Sequence, residues 1–204
     1  MVTITLFNPF HQRLIETTVT NEASIAKSWI LNVRSENQED LTVIVSLNSK
    51  IHPRDGAKAA TLQLCIKTKC LILQLLHMNQ NTNVEECLSD LFHDERCVFV
   101  GISIAKTVAR LDGILRFVKR IDVRDLVKVN YPFSYGVRSR PGLKAMAREL
   151  LGFGSWETKR EICPRDFTDE VLDDEVIKFL SIDAYVSYEI GFKMLTQHMR
   201  YGVI

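Results

Sequence analysis

The sequence has no run of about 18 apolar residues, the length a membrane-spanning helix needs. It has no excess charge of either sign. Twenty-six Lys and Arg stand against 25 Asp and Glu, a formal +1 with histidine neutral. That balance excludes a uniformly basic polyanion-binding surface and leaves room for a local basic groove. No repeat of about 20–50 residues and no low-complexity tract occurs. With 46% hydrophobic and 25% charged residues, a largely disordered chain is excluded. The patterns G-x-S-x-G, G-x-x-x-x-G-K and G-x-G-x-x-G are all missing. So are C-x2-C and H-x3-H pairs, and His11, His52, His77, His93 and His198 lie far apart, so no zinc site is expected. The five cysteines, Cys65, Cys70, Cys87, Cys97 and Cys163, are odd in number and scattered. They read as reduced, buried thiols. Met1–Phe10 alternates Thr with apolar residues and carries no basic leader, so it reads as a strand rather than a signal peptide. An intracellular protein of the cytoplasm or nucleus is expected.

At 204 residues one domain is the default. Val2–Phe7 and Leu14–Val19 read as a hairpin about Asn8-Pro9. A helix follows over Asn21–Arg34, capped by Thr20 or Asn21, with Ile25, Trp29, Ile30 and Val33 on one stripe. Leu41–Leu47 is β-branched and nearly all apolar, as in a central strand covered on both faces. Ser49–Ala59 contains Pro53 and Gly56 and reads as a loop. Ala60–Ile66 and Cys70–Leu76 form a second hairpin across Lys67-Thr68-Lys69. Val84–Phe92 reads as a helix with Leu88, Leu91 and Phe92 inward, and Cys97–Ile102 as a buried strand. A helix over Lys106–Val118, a short strand at Arg120–Val123 and an irregular stretch at Tyr131–Pro141 come next. Gly142–Leu151 is a helix closed by Gly152, and Asp169–Gln197 is one long helix or two joined. The order predicts a single α/β domain over residues 1–204, a mixed sheet flanked by helices. Residues 1–35 are its N-terminal hairpin and helix, and 36–204 its core.

Three groups of segments share an order and spacing: VIVSLNSK (Val43–Lys50) with ATLQLCIKTKCLIL (Ala60–Leu73), FVGISIAKTVARL (Phe99–Leu111), and GLKAMARELLGF (Gly142–Phe153) with VIKFLSIDAYVSYEI (Val176–Ile190). Together they resemble the DnaQ-like (DEDD) 3'-5' exonuclease family of the ribonuclease H-like superfamily. Within it the nearest likeness is to the compact plant Werner-syndrome exonuclease-like proteins, which Ile15–Ile30 also resembles. The resemblance implies a ribonuclease H-like fold and a hydrolase, a nuclease acting on phosphodiesters at a 3' end. It implies two Mg2+ or Mn2+ ions held by an Asp-x-Glu pair on the first core strand, an Asp after the FVG turn and an Asp on the last helix. A Tyr four residues before that last Asp orients the attacking water. Two such ions about 4 Å apart clamp the attacking and leaving oxygens, and hard cations take oxygen ligands.

Carried over position by position, the pair falls on Ser46 and Asn48, the third acid on Thr107, the Tyr on Phe179, and only Asp183 is retained. Sliding the strand by one residue offers Leu47 and Ser49, which is no better. Two divalent ions about 4 Å apart repel by roughly 17 kcal/mol at an effective dielectric near 20. One carboxylate in place of four leaves that repulsion largely unbalanced, so tight metal binding is not expected; a single Mg2+ held weakly by Asp183 is the most the pattern allows. Tyr131–Lys144 interleaves Tyr131, Phe133 and Tyr135 with Arg138, Arg140 and Lys144, after Arg124 and Lys128. Aromatics between cations suit single-stranded nucleic acid; the same residues also suit an irregular loop packed on the core. The expectation is a 3'-5' exonuclease-family protein that binds single-stranded nucleic acid with hydrolysis weak or absent. The alternative is a noncatalytic scaffold or assembly subunit with active relatives. The resemblance also implies a homo-oligomer, in the plant group a ring such as a hexamer.

Overall fold

The computed structural model describes residues 2–8, 13–56, 58–79, 84–111, 119–131, 141–154, 156, 158 and 161–200. Its strands are β1 (Val2–Asn8), β2 (Arg13–Thr20), β3 (Val43–Ile51), β4 (Ala59–Ile66), β5 (Lys69–Gln74), β6 (Cys97–Gly101) and β7 (Arg120–Asp122). Its helices are α1 (Ala23–Glu36), α2 (Val84–Phe92), α3 (Ile104–Ala109), α4 (Val123–Asn130), α5 (Leu143–Leu151) and α6 (Asp174–Arg200), with 3-10 turns at Leu75–His77 and Pro164–Thr168. The strands form one seven-stranded sheet in the order β1-β2-β5-β4-β3-β6-β7. β1 pairs with β2, and β5 with β4 and β4 with β3, antiparallel; β2–β5, β3–β6 and β6–β7 are parallel. The mixed α/β sheet expected from the sequence is therefore the architecture found. The N-terminal hairpin belongs to the same sheet, because β2 runs alongside β5.

Alternation along β3 divides the core. Val43, Val45 and Leu47 face a cluster with Trp29 and Ile30 of α1, Leu88 and Leu91 of α2, and Ile104 and Val108 of α3. Ile44 joins the opposite cluster, with Val100, Met146 of α5, and Tyr185 and Val186 of α6. The helix α6 lies close on that face: a Cβ at Gly191 would come within 2.6 Å of Val100 Cγ2. Tyr185 and Tyr188 are buried core residues there. Gly152 closes α5 with φ +68, the left-handed conformation that glycine adopts without strain.

Several boundaries differ from the sequence reading. β3 does not stop at Leu47. Ser49 and Lys50 still pair with Leu62 and Thr61 of β4, so the strand runs to Ile51 and the loop is shorter. α1 starts at Ala23 and buries Ala26, with Ile25 only half-buried. α4 was not anticipated. Asp122 caps it by accepting the N–H of Arg124, and Val123, Leu126 and Val127 make its buried stripe. The segment from Asp169 is not helical throughout: a 3-10 turn starting at Pro164 comes first, and α6 begins at Asp174 with Asp173 Oδ1 accepting the N–H of Val176. α3 opens at Ile104, two residues earlier than expected; residues 112–118 of that expected helix, and the turn at Pro9, lie outside the described residues. Cys163 is exposed, whereas the other four thiols are buried. Burial pushes the thiols of Cys87 and Cys97 up, to about 11 and about 12. No helix among the described residues is long and apolar enough to cross a membrane.

Candidate functional site

The C-terminal half of β3 carries polar residues out of an apolar strand. Ser46, Asn48 and Lys50 share one face by strand alternation, and Ser49 leaves the other. Above that face runs α6. Lys50 Nζ donates to Asp183 Oδ2 at 2.8 Å, joining residues 133 apart in the chain. Both side chains are largely covered, 21% and 17% exposed. The ammonium also lies 4.6 Å from the centre of the Phe179 ring and 5.7 Å from that of Phe167. The two rings stack with centroids 6.3 Å apart. Phe179 sits one helical turn before Asp183, so ring and carboxylate face the same strand residue. Phe167 comes from the 3-10 turn Pro164–Thr168 and packs beside Phe179. A single cation thus has an anion on one side and two π faces around it.

Beside this pair the polar residues are poorly matched. Among the described residues, Ser46 Oγ, fully buried, and Asn48 Nδ2 have no hydrogen-bond partner. Thr107, buried on α3, meets Ser49: Oγ to Oγ1 is 3.3 Å. The described hydrogen bonds therefore join Thr107 and Asp183 to neighbouring residues of β3 on opposite faces, not to each other. The turn that delivers α3 is held firmly. Ser103, at φ 53, gives its backbone N–H to Asp122 Oδ2 and accepts from Arg124 through Oγ. Burial raises the Asp122 pKa, but the hydrogen bonds from Arg124 and Ser103 outweigh it and hold the carboxyl below its ordinary value. Gly101 before this turn is obligatory, since a Cβ there would meet Leu47 O at 2.3 Å.

No family model matches the chain. A protein of Acanthamoeba polyphaga mimivirus named as a 3'-5' exonuclease is 25% identical over 181 residues, 84% of this chain and 44% of that protein. The chain thus spans less than half the length of that relative. Among solved structures, the EXO domain of Aedes aegypti Nibbler superposes with a TM-score of 0.68 at 12% identity, over 91% of this chain and 89% of that one. Escherichia coli RNase D gives 0.67 at 12% identity, over 91% and 46%. The chain has the DnaQ-like 3'-5' exonuclease fold of ribonuclease H-like proteins. Brucella melitensis NrnC shares this fold, at a TM-score of 0.59 and 15% identity over 79% of this chain and 76% of that one, in a structure bound to pGG. NrnC has also been solved with bound Mg2+.

In this DnaQ-like fold the residues singled out from the sequence fall as follows. Ser46 and Asn48 lie on β3, Thr107 on α3, and Phe179 and Asp183 on α6. Asp183 and Phe179 are brought together with β3 through Lys50, which the sequence reading had placed in a loop. Phe133, Tyr135, Arg138 and Arg140 lie outside the described residues. Tyr131 is half-buried and packs against the α5–α6 cluster, and Lys144 Nζ stands 5.7 Å from the Trp156 ring. Among the described residues no group of three or more His, Cys, Asp or Glu is placed to hold a metal ion. Lys50 and Phe167 were missed. Their signal was a cation four residues beyond Ser46 in a strand, and an aromatic in a turn preceding the last helix.

Proposed function

We propose that the chain is a nucleic-acid-binding protein of the 3'-5' exonuclease group whose own hydrolysis is weak or absent. The observation that carries this reading is the Lys50–Asp183 contact at 2.8 Å. The one carboxylate left at the expected metal positions already has a cation, supplied by the chain. A divalent ion about 4 Å from that ammonium would be repelled by roughly 8 kcal/mol at an effective dielectric near 20. Ser46, Asn48 and Thr107 offer only neutral side chains, and Asn48 Nδ2 is buried with no hydrogen-bond partner among the described residues. This donor set does not fit two Mg2+ or Mn2+ ions. Phe179 has no hydroxyl with which to orient a water. Removing one positioned donor of that kind commonly costs about 100-fold or more in rate.

Support for nucleic-acid binding comes from the fold shared with NrnC, which binds pGG, and from the cations interleaved with aromatics over Tyr131–Lys144. The narrower kinship with plant Werner-like proteins rests on motif order. Ring-like self-association is part of the same proposal, and an active relative in a mixed ring would bring its own carboxylates.

The test uses purified chain, 3'-labelled single-stranded RNA and DNA, and Mg2+ or Mn2+, beside an Asp183→Ala variant. Binding without shortening is expected. Shortening that disappears in the variant would overturn the reading of lapsed hydrolysis. Neither binding nor shortening would overturn the nucleic-acid assignment and favour the scaffold alternative.

A further inference from the structure

A crevice of about 660 Å3, lined by neither Lys50 nor Asp183, lies beside the turn that carries Phe167. It lies at the edge where β3 and β5 end and β4 begins. One wall is the turn after β3, with His52 and Arg54. The second is the 3-10 turn Leu75–His77, with Leu76 and His77. The third is the segment with Arg165 and Asp169. The guanidiniums of Arg54 and Arg165 are exposed and have no ion-pair or hydrogen-bond partner among the described residues. Asp169 is the only acid among the lining residues.

The walls are fixed before any ligand arrives. His52 Nδ1 accepts the backbone N–H groups of Arg54 at 3.2 Å and Asp55 at 3.0 Å. In the neutral ring the proton therefore sits on Nε2, which makes His52 a donor. His77 Nε2 donates to Thr168 O at 2.9 Å, and Gln74 Nε2 donates to Asp169 O and Glu170 O, both at 3.0 Å. These bonds tie the third wall to the second. Two unpaired forks of N–H donors on fixed backbone suit a phosphate dianion, which guanidinium recognises by paired hydrogen bonds. The volume lies within the roughly 300–1,000 Å3 of small-molecule sites, far more than a phosphate ion fills. Leu76 adds an apolar surface, and Asp169 a hydrogen-bond acceptor for a sugar hydroxyl.

We propose that this crevice binds a phosphate monoester carried on a group of nucleotide size: a nucleoside monophosphate or the phosphorylated end of an oligonucleotide. The site stands on its own residues and not on the fate of the Asp183 centre. Calorimetry on the full chain would compare adenosine monophosphate, adenosine, inorganic phosphate, a phosphoserine peptide, and a dinucleotide with and without a 5'-phosphate. The variants are Arg54→Gln and Arg165→Gln, with Lys106→Gln as a control on a different surface. Because both arginines are exposed, their variants should keep the parent melting curve.

Adenosine monophosphate should bind, adenosine should not, and each arginine variant should weaken binding at least about tenfold, as expected for charge-assisted hydrogen bonds. Lys106→Gln should leave binding unchanged. Tighter binding of the 5'-phosphorylated dinucleotide than of the monophosphate would identify an oligonucleotide end as the source, and the reverse a free nucleotide. Equal binding of adenosine, or binding unmoved by both arginine variants, overturns the proposal. So does inorganic phosphate or the phosphopeptide binding as tightly as the monophosphate. Loss of monophosphate binding in Arg54→Gln with single-strand binding retained would separate this site from the proposed nucleic-acid surface.

Discussion

Lys50 and Asp183 should be coupled energetically, and a double-mutant cycle measures by how much. At 2.8 Å two unit charges attract by about 6 kcal/mol at an effective dielectric near 20. That gross figure is opposed by the cost of taking both groups out of water. Exposed ion pairs couple by about 0.2–1 kcal/mol, and removing one partner from a buried pair costs about 3–5 kcal/mol. With 21% and 17% of the two side chains exposed, this pair lies between those limits. A coupling of about 1–3 kcal/mol is expected from urea unfolding of the parent, Lys50→Met, Asp183→Asn and the double variant. The contact of the ammonium with Phe179 is lost in every background lacking Lys50, so it cancels from the cycle. Partial burial also limits screening, and the coupling should change little between about 0.1 M and 1 M salt. A coupling below about 0.5 kcal/mol, or one that vanishes in high salt, would mark an ordinary surface pair. It would remove the physical basis for calling the site self-occupied.

Two further outcomes follow from the same geometry. Ser46→Ala should be neutral or stabilise by up to about 1 kcal/mol in urea unfolding, because it deletes a buried hydroxyl that has no partner among the described residues; a loss above that size would show that Ser46 is bonded in solution. Asp94 accepts side-chain hydrogen bonds from Arg96, the backbone N–H of Arg96 and a bond from Arg34, and these hold its pKa down at about 2. The unfolded chain then binds more protons between about pH 4 and pH 2, so stability rises with pH there and falls on acidification through that window. Asp94→Asn should flatten that part of the urea-midpoint profile; an unchanged slope would refute the assignment.

The mixed sheet and most helices were legible because their cores announce themselves. Val43–Leu47 reads as a covered strand in sequence and is one, although Leu41 and Thr42, expected in the same strand, precede it and are exposed; Leu88, Leu91 and Phe92 likewise read as an inward helix face. α4 escaped because eight residues with three apolar ones make a faint periodicity, and the cap at Asp122 decides it. At the site, Asp183 and Phe179 were found one turn apart by their motif. Lys50 was not, since Pro53 and Gly56 three and six residues on suggested a loop already begun. The strand survives because β4 still pairs with it, a long-range fact that no window of sequence holds. The crevice with Arg54 and Arg165 was likewise invisible: its walls come from three turns that become neighbours only when the sheet assembles.

One feature of the architecture bears on how the molecule is made. α6 touches β2, β3, β4, β5 and β6, so a single late helix roofs most of one sheet face. All seven strands precede it in the chain. At a synthesis rate of about 5–20 residues per second, a growing polypeptide would spend several seconds with finished strands and a wet, greasy underside. Ribosome-associated chaperones would meet that surface before Asp183 had been added, and a chain cut ahead of the last helix would leave much of it uncovered.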